Sequence, residues 1–189
     1  MKGMIICEIW SILKTSHGNA ILIKPRNMDI AVPIFIGTLE MQSILIGKEG
    51  LRPQRPNTHD LFLNMLSNVN LSIKKIEIHE LKNDVFHARL IITGGEYTNE
   101  KPLILESRPS DAFAISTRGK CPIFMAASVI EETGVPLDFF ISELEEDIPR
   151  TEDRNRSLKE QLEQAIAEEE YELAAEIRDL LKMLENDGL

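Results

Sequence analysis

Three clusters of side chains in this sequence can move protons or hold a phosphate. Arg55, His59 and Asp60 fall together in a connecting stretch, and loops present catalytic groups more readily than strand faces do. Glu77 and His79 alternate with Ile76 and Ile78, and His87 and Arg89 alternate with Phe86, Ala88 and Leu90, so four polar side chains share one strand face. A three-residue loop from Lys82 to Asp84 would pair His79 with His87 and Glu77 with Arg89 across a hairpin. Such a face is either an acid/base or phosphate-binding patch or ordinary cross-strand pairing. In the third cluster, Pro109 suits the first position of a helix, which sets Asp111 at the third, among unpaired amides, with Arg108 just outside. Arg108 beside those amides can complete an anion site, or pair with Asp111 or Asp60. Helix-start stabilisation alone also accounts for Asp111, and for Glu40 following Gly37; Thr58 and Asp60 are equally explained as caps.

The elements that hold these groups follow from the apolar pattern. Residues 4–12, 19–24 and 31–36 are Ile-rich runs separated by turn residues, and residues 39–49 repeat apolar side chains at helical spacing up to Gly50. The pattern recurs as strands over 71–81, 85–93 and 102–107 and a helix over 108–119. Two related β-β-β-α halves result, joined by a connection holding a short helix capped by Asn57 or Thr58. A short apolar piece at 122–124, a helix over 126–132 and an apolar run over 135–141 complete the core. The expected fold is α+β, a mixed sheet from the two halves with flanking helices, spanning residues 1–141. A linker follows at 142–154, and residues 155–189 form a separate helical segment.

Charge divides unevenly along the chain, whose net charge is -10. Residues 1–141 hold 15 acidic and 15 basic side chains, and residues 142–189 hold 16 and 6. A neutral core lacks the overall basic footprint of a tight nucleic-acid binder, although a local basic cleft is compatible with it. Cys7 and Cys121 are far apart, without the spacing of a metal knuckle or redox pair, and read as buried thiols in a reducing compartment. The N-terminal apolar run, interrupted by Glu8, is too short for a secretory core or a membrane span, so a cytoplasmic location and no membrane association are expected.

From Ser157 onward strong helix formers fill nearly every position, without Gly or Pro until the last residues. Leu158, Leu162, Ala165, Tyr171, Ala174, Ala175, Arg178, Asp179 and Leu184 are very similar to the UVR motif of UvrB- and UvrC-type proteins. The resemblance implies a helical hairpin that packs against another such hairpin. So little apolar area makes a lone hairpin marginal, so a UVR-containing partner or a second copy is expected. Its contact residues would be Leu158, Leu162, Tyr171, Ala174, Ala175, Arg178 and Leu181.

Over roughly residues 4–134, the three polar clusters, the run from Val32 to Gly37, and Glu40 occur in the order of the bifunctional nuclease domain family, which this core resembles. The resemblance implies hydrolysis of both DNA and RNA. An enzyme that cuts DNA cannot rely on a 2′-hydroxyl, so water is then the nucleophile, and Mg2+ or Mn2+ would be the expected cofactor. Asp60, Asp111, Glu40 and Glu77 are its available ligands, and His59 or His79 the available base. His59, Asp60, His79, Arg108 and Asp111 are the catalytic candidates. A self-associating core, as a homo-oligomer and most simply a dimer, is expected. A non-enzymatic ligand-binding or adaptor module is the competing reading, in which the same clusters hold the fold or bind a small anion.

Overall fold

A computed structural model describes residues 3–15, 18–51, 53–95, 101–140 and residue 178. The chain forms two compact units, Met1–Leu137 and Asp138–Leu189. The expected hairpin over 155–189 and its contact residues lie outside the described residues, apart from Arg178, which is helical and exposed.

The first unit runs β1 (Met4–Thr15), β2 (Gly18–Pro25), β3 (Ile30–Ile36), α1 (Thr38–Lys48), α2 (Thr58–Asn68), β4 (Leu71–Lys82), β5 (Val85–Gly94), β6 (Leu103–Ser107), α3 (Pro109–Gly119), β7 (Ile123–Ala126), α4 (Ala127–Thr133) and β8 (Val135–Pro136). All eight strands form one sheet in the order β6-β5-β4-β7-β1-β2-β3-β8. The duplicated pattern is visible there: two antiparallel meanders, β1-β2-β3 and β4-β5-β6, run outward from either side of β7. β7 pairs antiparallel with β1 and parallel with β4, which makes the sheet mixed.

Alternation along the strands selects the core. Ile21, Ile23, Val32, Ile34, Ile76, Ile78, Leu90 and Ile92 point from one face onto Ile44 of α1, Leu66 of α2, Phe113 of α3 and Val129 of α4. Phe113 is fully buried at the centre of this layer. Cys7 and Cys121 are buried as read from the sequence; desolvation pushes the Cys7 thiol up to about 12 and raises that of Cys121.

Helices α1 and α3, which each follow an outer strand, meet side by side at Gly47. A Cβ there would collide with Thr117 Oγ1 and crowd Arg118. Gly47→Ala is therefore expected to destabilise the protein by ~1–3 kcal/mol, despite alanine's better helix propensity. Urea unfolding of the two proteins checks this, and an unchanged or raised midpoint would contradict the close approach.

The β4–β5 hairpin corrects one expectation. Its loop has two residues, Asn83 and Asp84, both with positive φ (50° and 60°), the geometry of a type I′ turn that matches strand twist. Lys82 therefore pairs with Val85, and His87 lies opposite Glu80 rather than His79. A bulge between Ile78 and Glu80 then absorbs one residue, His79, and restores Glu77 opposite Arg89.

Candidate active site

Helices α1, α2 and α3 each carry a carboxylate at the third position, Glu40, Asp60 and Asp111, and the three starts are tied into one network. α3 begins where it does because Arg108, preceding a proline, is held extended (φ -71°, ψ 149°), and Pro109 then sets the first helical φ. Asp60 closes a capping box on α2 by accepting from the Asn57 amide at 2.9 Å.

Arg108 is the hub. Its Nε and Nη2 donate to Asp111 Oδ2 and Oδ1 at 2.9 and 3.3 Å, and its Nη1 donates to Glu40 Oε1 at 3.0 Å. The two carboxylates thus lock the plane of a guanidinium that is itself 65% exposed. They also raise its pKa, with Asp111 the stronger influence, so it stays charged. Burial alone would raise the Asp111 carboxyl, but hydrogen bonds from Arg108 and His59 outweigh it and hold Asp111 below its ordinary range. Three of the five guanidinium N–H groups are used in this clamp, which leaves two directions for a ligand.

Behind the hub, His59 Nε2 lies 3.3 Å from Asp111 Oδ1, and His59 Nδ1 lies 3.0 Å from Ser43 Oγ. With the proton on Nε2, the ring donates to Asp111 and accepts from the Ser43 hydroxyl. Asp60 is held on its other side by Arg118, whose Nε donates to Oδ1 at 2.9 Å. Arg118 Nη1 also donates to the carbonyls of Ser43 and Ala114 at 2.8 and 2.9 Å. His59, Asp60, Arg108 and Asp111 therefore do come together, through Ser43 and Arg118, two residues that the sequence reading did not single out. Ser43 sits in a helical run without any local motif, and Arg118 reads as a solvated basic residue in a last helical turn. No pattern along the chain marks either one.

His79 stands apart from this network. It bonds Glu106 Oε2 at 3.2 Å, and its ring centroid is 6.3 Å from that of His87. Arg108 and Glu40 of this network, and His87 and Glu106 beside His79, line one cleft of about 640 Å3. Phe35 of β3, Gly37, and Glu40 of α1 line it together with Phe86 and His87 of β5, Glu106 of β6 and Arg108 at the start of α3. The buried Ser107 Oγ, also lining the cleft, has no hydrogen-bond partner among the described residues. Arg108 and Glu40 reach the cleft directly, while His59, Asp60 and Asp111 stand behind them. Both α1 and α3 begin at this cleft, so their first amides are directed toward it.

Further along the polar face, Glu77 is only 4% exposed, yet it carries charge. Burial alone would raise its pKa; Lys75 Nζ and Arg89 Nε, each donating at 2.7 Å, overcome that and hold it below the ordinary value. A carboxyl lowered in the folded state contributes stability above its unfolded pKa and loses it as pH falls through the folded one. Arg89→Met should therefore cost about 2 kcal/mol at neutral pH, with the gap to wild type shrinking below the carboxylate range as Glu77 becomes protonated in both proteins. Urea titrations at about pH 7 and about pH 3 read the difference. A constant gap would contradict the assignment.

A divalent cation expected at Glu40, Asp60 and Asp111 does not fit these residues as placed. Arg108 occupies Glu40 and Asp111, and Arg118 and the Asn57 amide occupy Asp60. Among the described residues, no group of three or more His, Cys, Asp or Glu side chains is arranged to hold a metal ion. Ligation there would first require both arginines to release their carboxylates. Among the described residues, no helix is long and apolar enough to cross a membrane.

Comparison with known proteins supplies the family. Two uncharacterized proteins of Mycobacterium tuberculosis, from strains CDC 1551 and H37Rv, are each 31% identical to this chain over 115 residues. That stretch is 61% of this chain and 66% of each relative, just short of two thirds of their length. The UvrB/uvrC motif matches residues 154–187. The bifunctional nuclease domain matches residues 21–138, a span that takes in α1, α2, α3, the β4–β6 meander and every residue of the cleft. The chain belongs to the bifunctional nuclease domain family and carries a C-terminal UVR motif.

Proposed function

We propose that the core binds a phosphodiester of single-stranded DNA or RNA in the cleft between β3 and the β5–β6 edge, and hydrolyses it with water. The observation that carries this reading is Arg108: a guanidinium fixed in orientation by two carboxylates, exposed at a cleft on which two helix N-termini open. Its two remaining N–H directions and the first amides of α1 and α3 are suited to the non-bridging oxygens, whose charge grows as water attacks. His87 lines the same cleft and is the group placed to take the proton from water. His59 and Asp111 act through Arg108 as positioning residues. His79 plays the same part for Glu106, which lines the cleft. Asp60 holds α2 to α3 through Arg118, and thereby sets His59.

The test is hydrolysis of a DNA and an RNA strand of the same sequence by the purified full chain, in Mg2+, in Mn2+ and in chelator. Cleavage of both strands is the expected result. Cleavage of RNA alone would point to attack by the 2′-hydroxyl and contradict a water nucleophile. The second unit, through its UVR motif, is proposed to bind a UVR-containing protein or a second copy of the chain. Size-exclusion chromatography with and without residues 155–189 reads that contact.

A further inference from the structure

β4 contains two bulges in its pairing with β5, and the first places a cation where a regular strand would not. The first falls between Ile73 and Lys75, which pair with Ile92 and Ile91, leaving Lys74 as the extra residue. Adjacent residues of an uninterrupted strand point to opposite faces. Here Lys74 and Lys75 both line one depression of about 360 Å3, together with Arg89 and Lys101. Bulges re-aim side chains and are enriched beside functional sites.

The charge in that depression is out of character with the molecule. Among the described residues, four cations line it against one carboxylate, Glu77, in a chain whose net charge is -10 and whose first 141 residues are neutral. Glu77 is buried between Lys75 and Arg89, so it fixes those two cations in place and leaves a surplus of three positive charges. Lys75 is further held with its Nζ 5.0 Å from the centre of the Phe124 ring. Lys74 and Lys101 are exposed, and no ion pair to either occurs among the described residues.

The depression and the cleft share no lining residue, but paired strand positions link them. Arg89, which lines the depression, pairs across the sheet with Glu106, which lines the cleft, and His87 lies two residues along the same face. At the second bulge His79 bonds Glu106. From Lys75 to His79 the strand covers about 13 Å, so a flexible polyanion entering the cleft can lie along β4 and β5 and reach the lysines.

We infer that Lys74, Lys75, Arg89 and Lys101 form a phosphate-binding track, set by the β4 bulges, that carries the backbone of a single-stranded nucleic acid toward the cleft. The inference rests on the proposed function for the class of strand it names, and adds the path the strand takes. Such contacts are electrostatic and sequence-independent, with an affinity that falls steeply as salt rises.

The experiment is fluorescence anisotropy of an uncleavable phosphorothioate oligo-dT of about ten nucleotides, titrated with the full chain at several salt concentrations. The charge-removing double variant Lys74→Ala/Lys101→Ala changes only exposed side chains, and Lys74→Arg/Lys101→Arg keeps the charges. The alanine variant should weaken binding by about tenfold at low salt and flatten the slope of log Kd against log salt by about 1.4, as expected for two lost phosphate contacts. The arginine variant should bind like wild type. Unchanged affinity and slope in the alanine variant would overturn the track, as would a polyglutamate peptide competing as well as the oligonucleotide. Lysine-dependent binding by a wild-type protein that cleaves neither DNA nor RNA would uphold the track and refute the hydrolytic reading of the cleft.

Discussion

Arg108→Ala is expected to lower the turnover of DNA and RNA hydrolysis by ~10²–10³-fold, the usual cost of deleting one preorganised donor to a developing oxyanion. The side chain is 65% exposed, so its loss should leave folding intact. Arg108→Lys should recover only part of the rate, because an ammonium cannot keep both the two-pronged bond to Asp111 and the bond to Glu40 that set the plane. His59→Ala removes no group that lines the cleft; it frees one side of Asp111, and the rate should fall by a smaller factor than in Arg108→Ala. Steady-state kinetics of the three variants, with unfolding midpoints as a control, checks this order. Equal losses for His59→Ala and Arg108→Ala would instead make the imidazole a participant in the chemistry.

The second large effect concerns folding. Arg118→Met should destabilise the protein by ~3–5 kcal/mol, since it removes one partner of a largely buried charged contact. The Arg118 side chain is only 7% exposed and joins all three helices: it holds Asp60 of α2, the Ser43 carbonyl of α1 and the Ala114 carbonyl of its own helix. Its Nη2 is buried without a partner among the described residues, so the site already carries an unmet donor. Asp60→Asn, which keeps the shape but removes the charge, should cost less. Chemical denaturation reads both, and an Arg118→Met protein as stable as wild type would show that packing, rather than this guanidinium, holds α1, α2 and α3 together.

Much of the fold was readable because its signals are local. The six long strands follow Ile-rich runs with period-two alternation, and α3 is announced by Pro109 and α1 by the residues after Gly37. The two meanders were visible as a repeated β-β-β-α order. β7 was seen only as a short apolar piece, yet as the central strand it joins the halves; nothing in residues 123–126 states that two distant strands will flank it. Register was legible to within one residue. The pairing of Glu77 with Arg89 is present, but it is reached through a tighter turn and a bulge at His79, and bulges have no distinctive residue signature.

The site was legible in its residue types and not in its wiring. His59, Arg108 and Asp111 stood out as a histidine, an arginine and an acid in suggestive positions, and the acid is hydrogen-bonded to both of the others. That Glu40 shares Arg108, from 68 residues away, is a tertiary fact. The same holds for Ser43 beneath His59 and for the cleft, which Arg108 lines and the residues behind it do not. The neutral charge of the core left a local basic cleft open without placing one, because a sum over residues 1–141 does not tell that four cations line one depression beside a bulge.

The central claim, that the cleft is where a phosphodiester meets water, is tested most directly through His87, the imidazole that lines it. The measurement is the single-turnover cleavage rate of an end-labelled DNA strand by the wild-type full chain and by His87→Ala. Cleavage by wild type and a rate ~10²–10⁴-fold lower in the variant are predicted. A wild-type protein that leaves the strand intact, or a His87→Ala protein that cuts it at the wild-type rate, would contradict the account.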